Sequence, residues 1–232
     1  SILEIDGFKF DMGPSWYWMP DIFERFFADF GKKVSEYYEL KKLSPGYRVI
    51  FGKDDYIDIS DEPEKIIEKF EEIEPGSGKH LRKFMENSRK NYEIAMKDLV
   101  YNPGKSLLEL VNLETAARLN LFVQNISQTV RRNIKNPKLQ SILEFPVLFL
   151  GAKPQNTPAF YNFMNHADFG LGTWYPKGGF NAVAMGMVKL AKELGVEFYL
   201  NQNVVKIQTE NNQATRVITE HGFFDTDLVI SG

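Results

Sequence analysis

Residues 173–200 carry two hydrophobic patterns in direct succession. Apolar side chains first recur every three or four residues, which predicts a helix with one apolar face: Phe180, Val183, Ala184, Met187, Ala191 and Leu194. Gly195 marks the helix end, and the apolar run 196–200 then predicts a strand. Before the helix, Pro176 ends an extended aromatic run, and Gly178 and Gly179 carry no side chains. This order predicts a helix N-terminus and backbone amides offered to a polar group or a flat ring, although an ordinary tight turn fits the same glycines.

Residues 1–15 predict a hairpin followed by a second turn of this kind. Apolar residues alternate on both sides of Asp6-Gly7, a pair that suits a two-residue turn. Gly13 can adopt torsions closed to other residues and Pro14 stiffens the exit, so backbone could meet a ligand here too. The aromatic residues that follow at 16–19 form either a pocket wall or a loop that packs down on the core.

Helical spacing predicts further helices in the middle of the chain. They begin near Pro20, Pro63, Lys79, Pro137 and Pro158. Short strands are predicted at 37–43, 47–51 and 56–59. The stretch 106–134 is apolar around most of a helix circumference, which indicates either deep burial or contact with lipid.

Strand patterns return towards the end of the chain. Alternation at 203–209, 214–220 and 223–226 predicts paired strands, and the apolar run 227–232 is typical of a buried parallel strand. Strands at both ends and helices between them predict one sheet-based layer interrupted by a helical insertion.

Composition narrows the possible chemistry. The 232 residues include nineteen Phe and 14% aromatic residues overall, which favours flat apolar ligands. A net charge of -3 argues against nucleic-acid binding, and the absence of cysteine excludes disulfides and thiol catalysis. Three scattered histidines give no metal-binding spacing, and His166 is better explained as a satisfied helix-end side chain than as a catalyst. No apolar run reaches the roughly twenty residues that cross a bilayer, so any membrane contact would be peripheral.

Four short motifs occur along the chain in a characteristic order. They are Phe10-Asp11-Met12-Gly13-Pro14, Trp174-Tyr175-Pro176-Lys177-Gly178-Gly179, Leu200-Asn201-Gln202-Asn203-Val204 and Asp227-Leu228-Val229-Ile230-Ser231. Each is weak alone, but in this register they resemble the carotenoid desaturases of the bacterial phytoene desaturase type. The similarity covers essentially the whole chain, and the wider flavin amine oxidase superfamily shares looser versions.

The resemblance implies a fold and an activity. The fold class would be α+β or α/β, with part of a Rossmann-related FAD domain beside a substrate domain of mixed sheet and helical insertion. Residues 1–15 would be strands at the junction, 16–172 the substrate domain with a membrane-facing insertion at about 79–170, and 173–232 the flavin-contact loop, helix and returning strands. The activity would be desaturation of a phytoene-like or gamma-carotene-like polyene, with hydride passing to FAD. The protein would be cytoplasmic and peripherally membrane-associated, with its electron acceptor left open.

The resemblance also implies site residues. The isoalloxazine ring of FAD would lie beside Gly13, Pro14, Trp174, Tyr175, Pro176, Gly178 and Gly179. Val204 would hold the adenine end through its backbone, and Ser231 would close a strand of the FAD domain. Glu109 is the candidate catalytic acid on a helix over the substrate, with a solvated helix glutamate as the alternative. These positions require the loops at Gly13 and Gly178 to lie close together.

The sequence also departs from the family pattern. It contains no G-x-G-x-x-G for the pyrophosphate and no glycine-rich C-terminal flavin segment. We therefore interpret it as the central part of a desaturase that on its own binds FAD poorly. A carotenoid isomerase, a saturase or another flavin oxidase remains an alternative on the same scaffold. A lipid-binding, membrane-docking module without catalysis is the alternative from another class.

Overall fold

The chain divides into two compact units, Ser1–Gly186 and Met187–Gly232. The structure is a computed structural model and describes residues 2–13, 16–97, 99–101 and 119–232. Helices and strands both contribute in this part of the chain, so the predicted mixed α+β class is confirmed.

The first unit contains three antiparallel strand pairs. The opening hairpin turns at Asp6 and Gly7, which both have positive φ (52° and 82°), as the Asp-Gly pair predicted. The other two pairs join β3 to β6 and β4 to β5. The strands are β1 Ile2–Ile5, β2 Phe8–Asp11, β3 Leu40–Lys42, β4 Tyr47–Gly52, β5 Asp55–Ile59 and β6 Trp174–Pro176.

Proline and asparagine set the start of several helices. Pro63 and Pro137 occupy first-turn positions where their missing N–H costs no hydrogen bond. The Asn136 side chain also accepts a backbone N–H at the helix that Pro137 begins, and Asn125 does the same at a third helix start. The helices are α1 Pro20–Ala28, α2 Pro63–Ile73, α3 Ser77–Lys97, α4 Leu119–Val123, α5 Ile126–Asn133, α6 Pro137–Glu144, α7 Phe163–Asn165 and α8 Phe180–Glu193.

One hydrophobic core holds the first unit together. It lies between the β4–β5 hairpin, helices α2 and α3, and helices α5 and α6. Phe70, Leu81 and Leu139 are fully buried at its centre. The predicted apolar faces of α2 and α3 thus pack into this core, whereas Ala184 and Leu194 of the face predicted at 180–194 are exposed.

The segment that precedes β6 is less regular than predicted. The helix expected from Pro158 to about His166 is replaced by short turns: a 3₁₀ turn at Ala159–Asn162, α7, and a wide π-type turn at His166–Gly170. Much of the apolar stretch 106–134 lies outside the described residues. None of the described helices is both long and apolar enough to span a membrane.

The second unit contains a three-stranded antiparallel meander. Its strands are β7 Val204–Glu210, β8 Gln213–Thr219 and β9 Gly222–Asp225, paired in the order β7-β8-β9. Asn211 and Asn212 make the first turn with positive φ, which asparagine tolerates better than other side chains. These strands are the ones that alternation predicted.

Two strand predictions are wrong. Residues 196–200 and 227–232 form no strand, and Leu200, Leu228 and Ile230 are highly exposed. A strand needs a neighbour to satisfy its main-chain groups, and no described strand pairs with either segment. The predicted single sheet is likewise replaced, in the described residues, by four small antiparallel sheets. Apolar alternation identified strand-forming segments but carried no information on pairing.

Candidate functional site

Asp11 joins the end of β2 to the start of α8. One carboxylate oxygen, Oδ2, accepts the Phe180 amide at 2.6 Å, and the other, Oδ1, accepts the Asn181 amide at 3.1 Å. The first amides of a helix have no partner within the helix, and the positive end of the helix dipole attracts a carboxylate. Asp11 therefore caps α8 from a distant part of the chain.

This cap corrects one prediction. We expected the helix N-terminus after Gly179 to be offered to a polar group of a cofactor. Instead, the amides of Phe180 and Asn181 are already taken by the Asp11 carboxylate. The sequence could not show this, because the acid lies 169 residues before Phe180.

Gly179 makes room for the Asp11 carboxylate. A Cβ atom added at Gly179 would lie 2.0 Å from Asp11 Oδ2, far inside contact distance. The residue also has φ of 86°, which disfavours any other residue type. The second glycine of the pair is thus explained by the cap within the protein.

Gly13 and Gly178 expose their backbone instead. Both have positive φ, 143° and 88°, and an added Cβ at either position would meet no described atom within 4 Å. We call the two segments the 11–13 loop and the 177–179 loop. Since Asp11 binds the amide that follows Gly179, the two loops lie side by side, each with side-chain-free backbone that no described side chain covers.

The aromatic strand before the 177–179 loop is tied to residues 16–18. Trp174 exchanges two main-chain hydrogen bonds with Tyr17, at 3.0 and 3.3 Å, and its indole N–H donates to the Leu171 carbonyl at 2.9 Å. Tyr175 is 41% exposed, whereas Pro176 is buried. The strand thus places Tyr175 at the surface next to the loop.

The sequence left two alternatives for these aromatic residues, a pocket wall or packing onto the core, and residues 16–18 show both. Tyr17 is packed down: it is buried, stacks on Phe23 at 4.5 Å and shares a 2.8 Å hydrogen bond with the Tyr38 hydroxyl. Burial raises the pKa of Tyr17, so this hydroxyl stays protonated. Trp16, in contrast, lines a cavity.

The remaining predicted site residues lie in the second unit or outside the described residues. Val204 begins β7 in the second unit, pairs in register with Thr219 and is 52% exposed. Ser231 is exposed in the irregular segment after β9. Pro14 and Glu109 lie outside the described residues, so their roles stay predictions.

Asp168 is the most deeply buried acid among the described residues, and no sequence pattern singled it out. Its side chain is 2% exposed, and its Oδ2 accepts the Tyr47 hydroxyl at 2.6 Å. Burial raises the pKa of Asp168 to about 7, with the Tyr47 hydrogen bond opposing the rise. The available signal was an acid placed directly between Ala167 and Phe169 in a largely apolar stretch.

The described residues offer no site for a metal ion. In the parts of the chain that the structure describes, His, Asp and Glu side chains nowhere gather in threes that could hold an ion. The arrangement of the two loops instead suits a large planar group approaching the main chain.

Comparison with known proteins identifies the family. The chain belongs to the flavin containing amine oxidoreductases, whose profile matches residues 3–232. Membership of this family implies a flavin cofactor. Within it, the chain is similar to carotenoid-modifying enzymes.

Three relatives illustrate this similarity. Carotenoid 3,4-desaturase of Haloarcula japonica is 44% identical over 96% of this chain and 45% of its own length. The 4,4'-diapolycopene oxygenase of a Methylomonas species is 32% identical over 100% and 47%. The 4,4'-diapophytoene desaturase (4,4'-diaponeurosporene-forming) of Staphylococcus aureus is 32% identical over 88% and 41%. The chain therefore spans about half the length, or less, of the curated relatives it matches.

Proposed function

We propose that the protein carrying this chain is an FAD-dependent desaturase of long-chain carotenoids. The observation that carries the proposal is the 2.6 Å hydrogen bond from the Phe180 amide to Asp11, which brings the 11–13 and 177–179 loops together. The family supplies the flavin, and two of the three relatives described above are named as carotenoid desaturases.

The residues present fit a flavin ring. A flat tricyclic ring needs backbone that it can approach closely, and Gly13 and Gly178 offer this on adjacent loops. Asp11 holds the loops in place, and the Trp174–Pro176 strand adds an exposed aromatic side chain, Tyr175. Bound FAD would supply the redox chemistry by accepting a hydride as a C–C single bond becomes a double bond. We propose Val204 for the adenine end and Ser231 for a strand of the FAD domain, as the resemblance implies.

The chain's own residues would bind the substrate and keep water away from it. A carotenoid hydrocarbon has no polar groups to recognise, so its site must consist of apolar and aromatic walls. Trp16 follows Gly13 by three residues and takes part in such a wall with Tyr47, at 4.7 Å between ring centroids. Glu109 stays our candidate for the acid that assists proton loss.

We also propose peripheral contact with the cytoplasmic face of a membrane. Leu148, Phe149 and Leu150 are 58%, 55% and 43% exposed on a single 3₁₀ segment. Consecutive exposed apolar side chains are uncommon on a soluble surface and suit the interfacial region of a bilayer. A carotenoid dissolved in the bilayer would reach the enzyme at such a surface.

An anaerobic single-turnover experiment tests the activity. The complete polypeptide that carries this chain is loaded with FAD and mixed with an acyclic carotenoid without oxygen. We expect the oxidised flavin absorbance to fall as the conjugated polyene absorbance grows, one flavin reduced for each double bond formed. A product isomerised while the flavin stays oxidised would identify an isomerase instead. Vesicle binding without any flavin spectrum would identify a membrane-docking module.

A further inference from the structure

A cavity of about 510 Å³ lies beside Trp16 in the first unit. Its apolar lining includes Trp16, Tyr47, Val49, Ile142, Phe145 and Leu148. This volume is in the range of small-molecule sites. Leu148 and Ile50 are both strongly exposed at the lining, so the cavity opens to the outside of the unit.

Three aromatic rings form one wall of the cavity. The Trp16 ring lies 4.7 Å from Tyr47 and 5.5 Å from Phe145, and the last two are 6.0 Å apart. Rings at these separations hold one another in place, so the wall is preformed. A preformed aromatic wall suits a conjugated ligand, because little side-chain freedom is lost on binding.

The polar side chains at the cavity are already bonded within the protein. Arg48 donates two hydrogen bonds to Asp58, at 2.7 and 2.9 Å. Glu144 accepts two from Arg131, at 2.9 and 3.2 Å. The Ser141 hydroxyl donates to the Pro137 carbonyl at 2.9 Å. A charged ligand would compete with these interactions, whereas a hydrocarbon needs none of them.

Tyr47 also carries a polar group in the wall, and Asp168 accepts the hydrogen bond of its hydroxyl. The hydroxyl donates to Asp168 Oδ2 at 2.6 Å, and Asp168 itself is not among the cavity residues. Burial raises the pKa of Tyr47, so the hydroxyl stays protonated and remains a donor. With its hydroxyl engaged by Asp168, Tyr47 contributes an aromatic ring to the cavity.

We propose that this cavity binds the uncharged end of a hydrocarbon polyene, and that Asp168 is a positioning residue which keeps the Tyr47 hydroxyl out of it. The inference rests on the proposed function for its substrate class and names the part of the chain that holds the substrate end. It differs from that function in needing no flavin and no turnover. The two can therefore fail separately.

Binding of 1,6-diphenyl-1,3,5-hexatriene, an uncharged fluorescent polyene, tests the site. Energy transfer from tryptophan to this probe reports binding close to Trp16, and Trp16→Phe removes that donor from the wall. Ser141→Phe places an aromatic ring in the cavity from an exposed helix position, and Asn87→Phe is the matched change on exposed α3. We expect Ser141→Phe to weaken probe binding by about tenfold or more and Asn87→Phe to leave it within about twofold.

The chemistry of the ligand is tested with a charged partner probe. Parinaric acid is a conjugated chain of similar kind that ends in a carboxylate. We expect it to bind about tenfold more weakly than the uncharged probe, because the polar groups of the cavity are already paired. Equal binding of both probes, or equal loss in Ser141→Phe and Asn87→Phe, would overturn the proposal.

A variant pair tests the positioning role. Asp168→Leu leaves the Tyr47 hydroxyl without its acceptor. We expect this hydroxyl to bind water in the cavity, so hydrocarbon binding weakens. Tyr47→Phe combined with Asp168→Leu removes both polar groups, and we expect it to restore binding to within about threefold of the original. A double variant as weak as Asp168→Leu alone, with both folded by circular dichroism, would refute the positioning role. If Asp168→Leu does not fold, Ser141→Phe still tests whether the cavity binds the probe.

Discussion

The Asp11 carboxylate lies 2.6 Å from the Phe180 amide, although the two residues are 169 positions apart in the chain. This contact connects the first hairpin with the N-terminus of α8. It places the side-chain-free backbone of Gly13 and Gly178 on neighbouring loops. The proposed flavin site depends on this one side chain.

Replacement of Asp11 tests the cap. Asp11→Ala removes two acceptors at a helix N-terminus, so we expect the free energy of unfolding to fall by about 1 kcal/mol. Asp11→Asn keeps one acceptor oxygen and should lose less. Urea unfolding measures both, and an unchanged midpoint in Asp11→Ala would contradict the cap.

The two glycines of the 177–179 loop should respond differently to alanine. Both have positive φ, so each variant is strained by about 1 kcal/mol. Gly179→Ala also displaces the Asp11 carboxylate and loses the cap. We expect this to lower the free energy of unfolding by about 1 kcal/mol more. In an Asp11→Ala background this extra loss should vanish. A double-mutant cycle on Asp11 and Gly179 with no coupling would show that the close approach has no energetic consequence.

Asp168 should make stability depend on pH. Burial raises the pKa of Asp168 to about 7, from 3.8 in the exposed group, so its contribution is fully present below pH 4 and is lost as pH rises through 7. Relative to Asp168→Asn, the free energy of unfolding should fall by roughly 4 kcal/mol at most over this window. Unfolding of both proteins from pH 4 to 8 measures the difference. A difference that stays flat, or that grows with pH, would contradict the buried carboxyl.

The exposed apolar segment should govern membrane binding. Leu148→Asp with Phe149→Asp places two charges where apolar side chains would enter the interface, so we expect vesicle binding to weaken by about tenfold. Leu228→Asp with Ile230→Asp changes two apolar side chains that are even more exposed, in the second unit. Flotation with phospholipid vesicles compares the two double variants. An equal effect of both would contradict a specific role of residues 148–150 in membrane binding.

Local patterns predicted most of the elements of the fold. Helices α1, α2, α3, α6 and α8 follow from apolar spacing and from Pro and Gly at their ends, because a helix satisfies its hydrogen bonds within one segment. Strands at 196–200 and 227–232 were predicted from composition, but strand formation depends on a partner elsewhere in the chain. This is why the short strands were less predictable than the helices.

The site was predictable only in part, for the same reason. Gly13 and Gly178 stood out as positions of unusual backbone, and the structure places their loops side by side. The contacts of Asp11 with Phe180 and of Tyr47 with Asp168 span 169 and 121 positions. Spacing along a single sequence carries no record of such pairs, so the cap and the buried acid became visible only in the fold.

Flavin retention by a Gly178 variant tests the central claim most directly. Gly178→Val adds a branched side chain at φ of 88°, and Gly76→Val makes the same change at φ of 89° in the turn between α2 and α3, where an added Cβ likewise meets no described atom. Backbone strain is therefore matched, and only Gly178 belongs to the proposed site. Flavin absorbance per mole of the purified complete polypeptide should fall strongly in Gly178→Val and stay near the original in Gly76→Val. Equal flavin content in the two variants would contradict the proposal that the 11–13 and 177–179 loops hold the flavin ring.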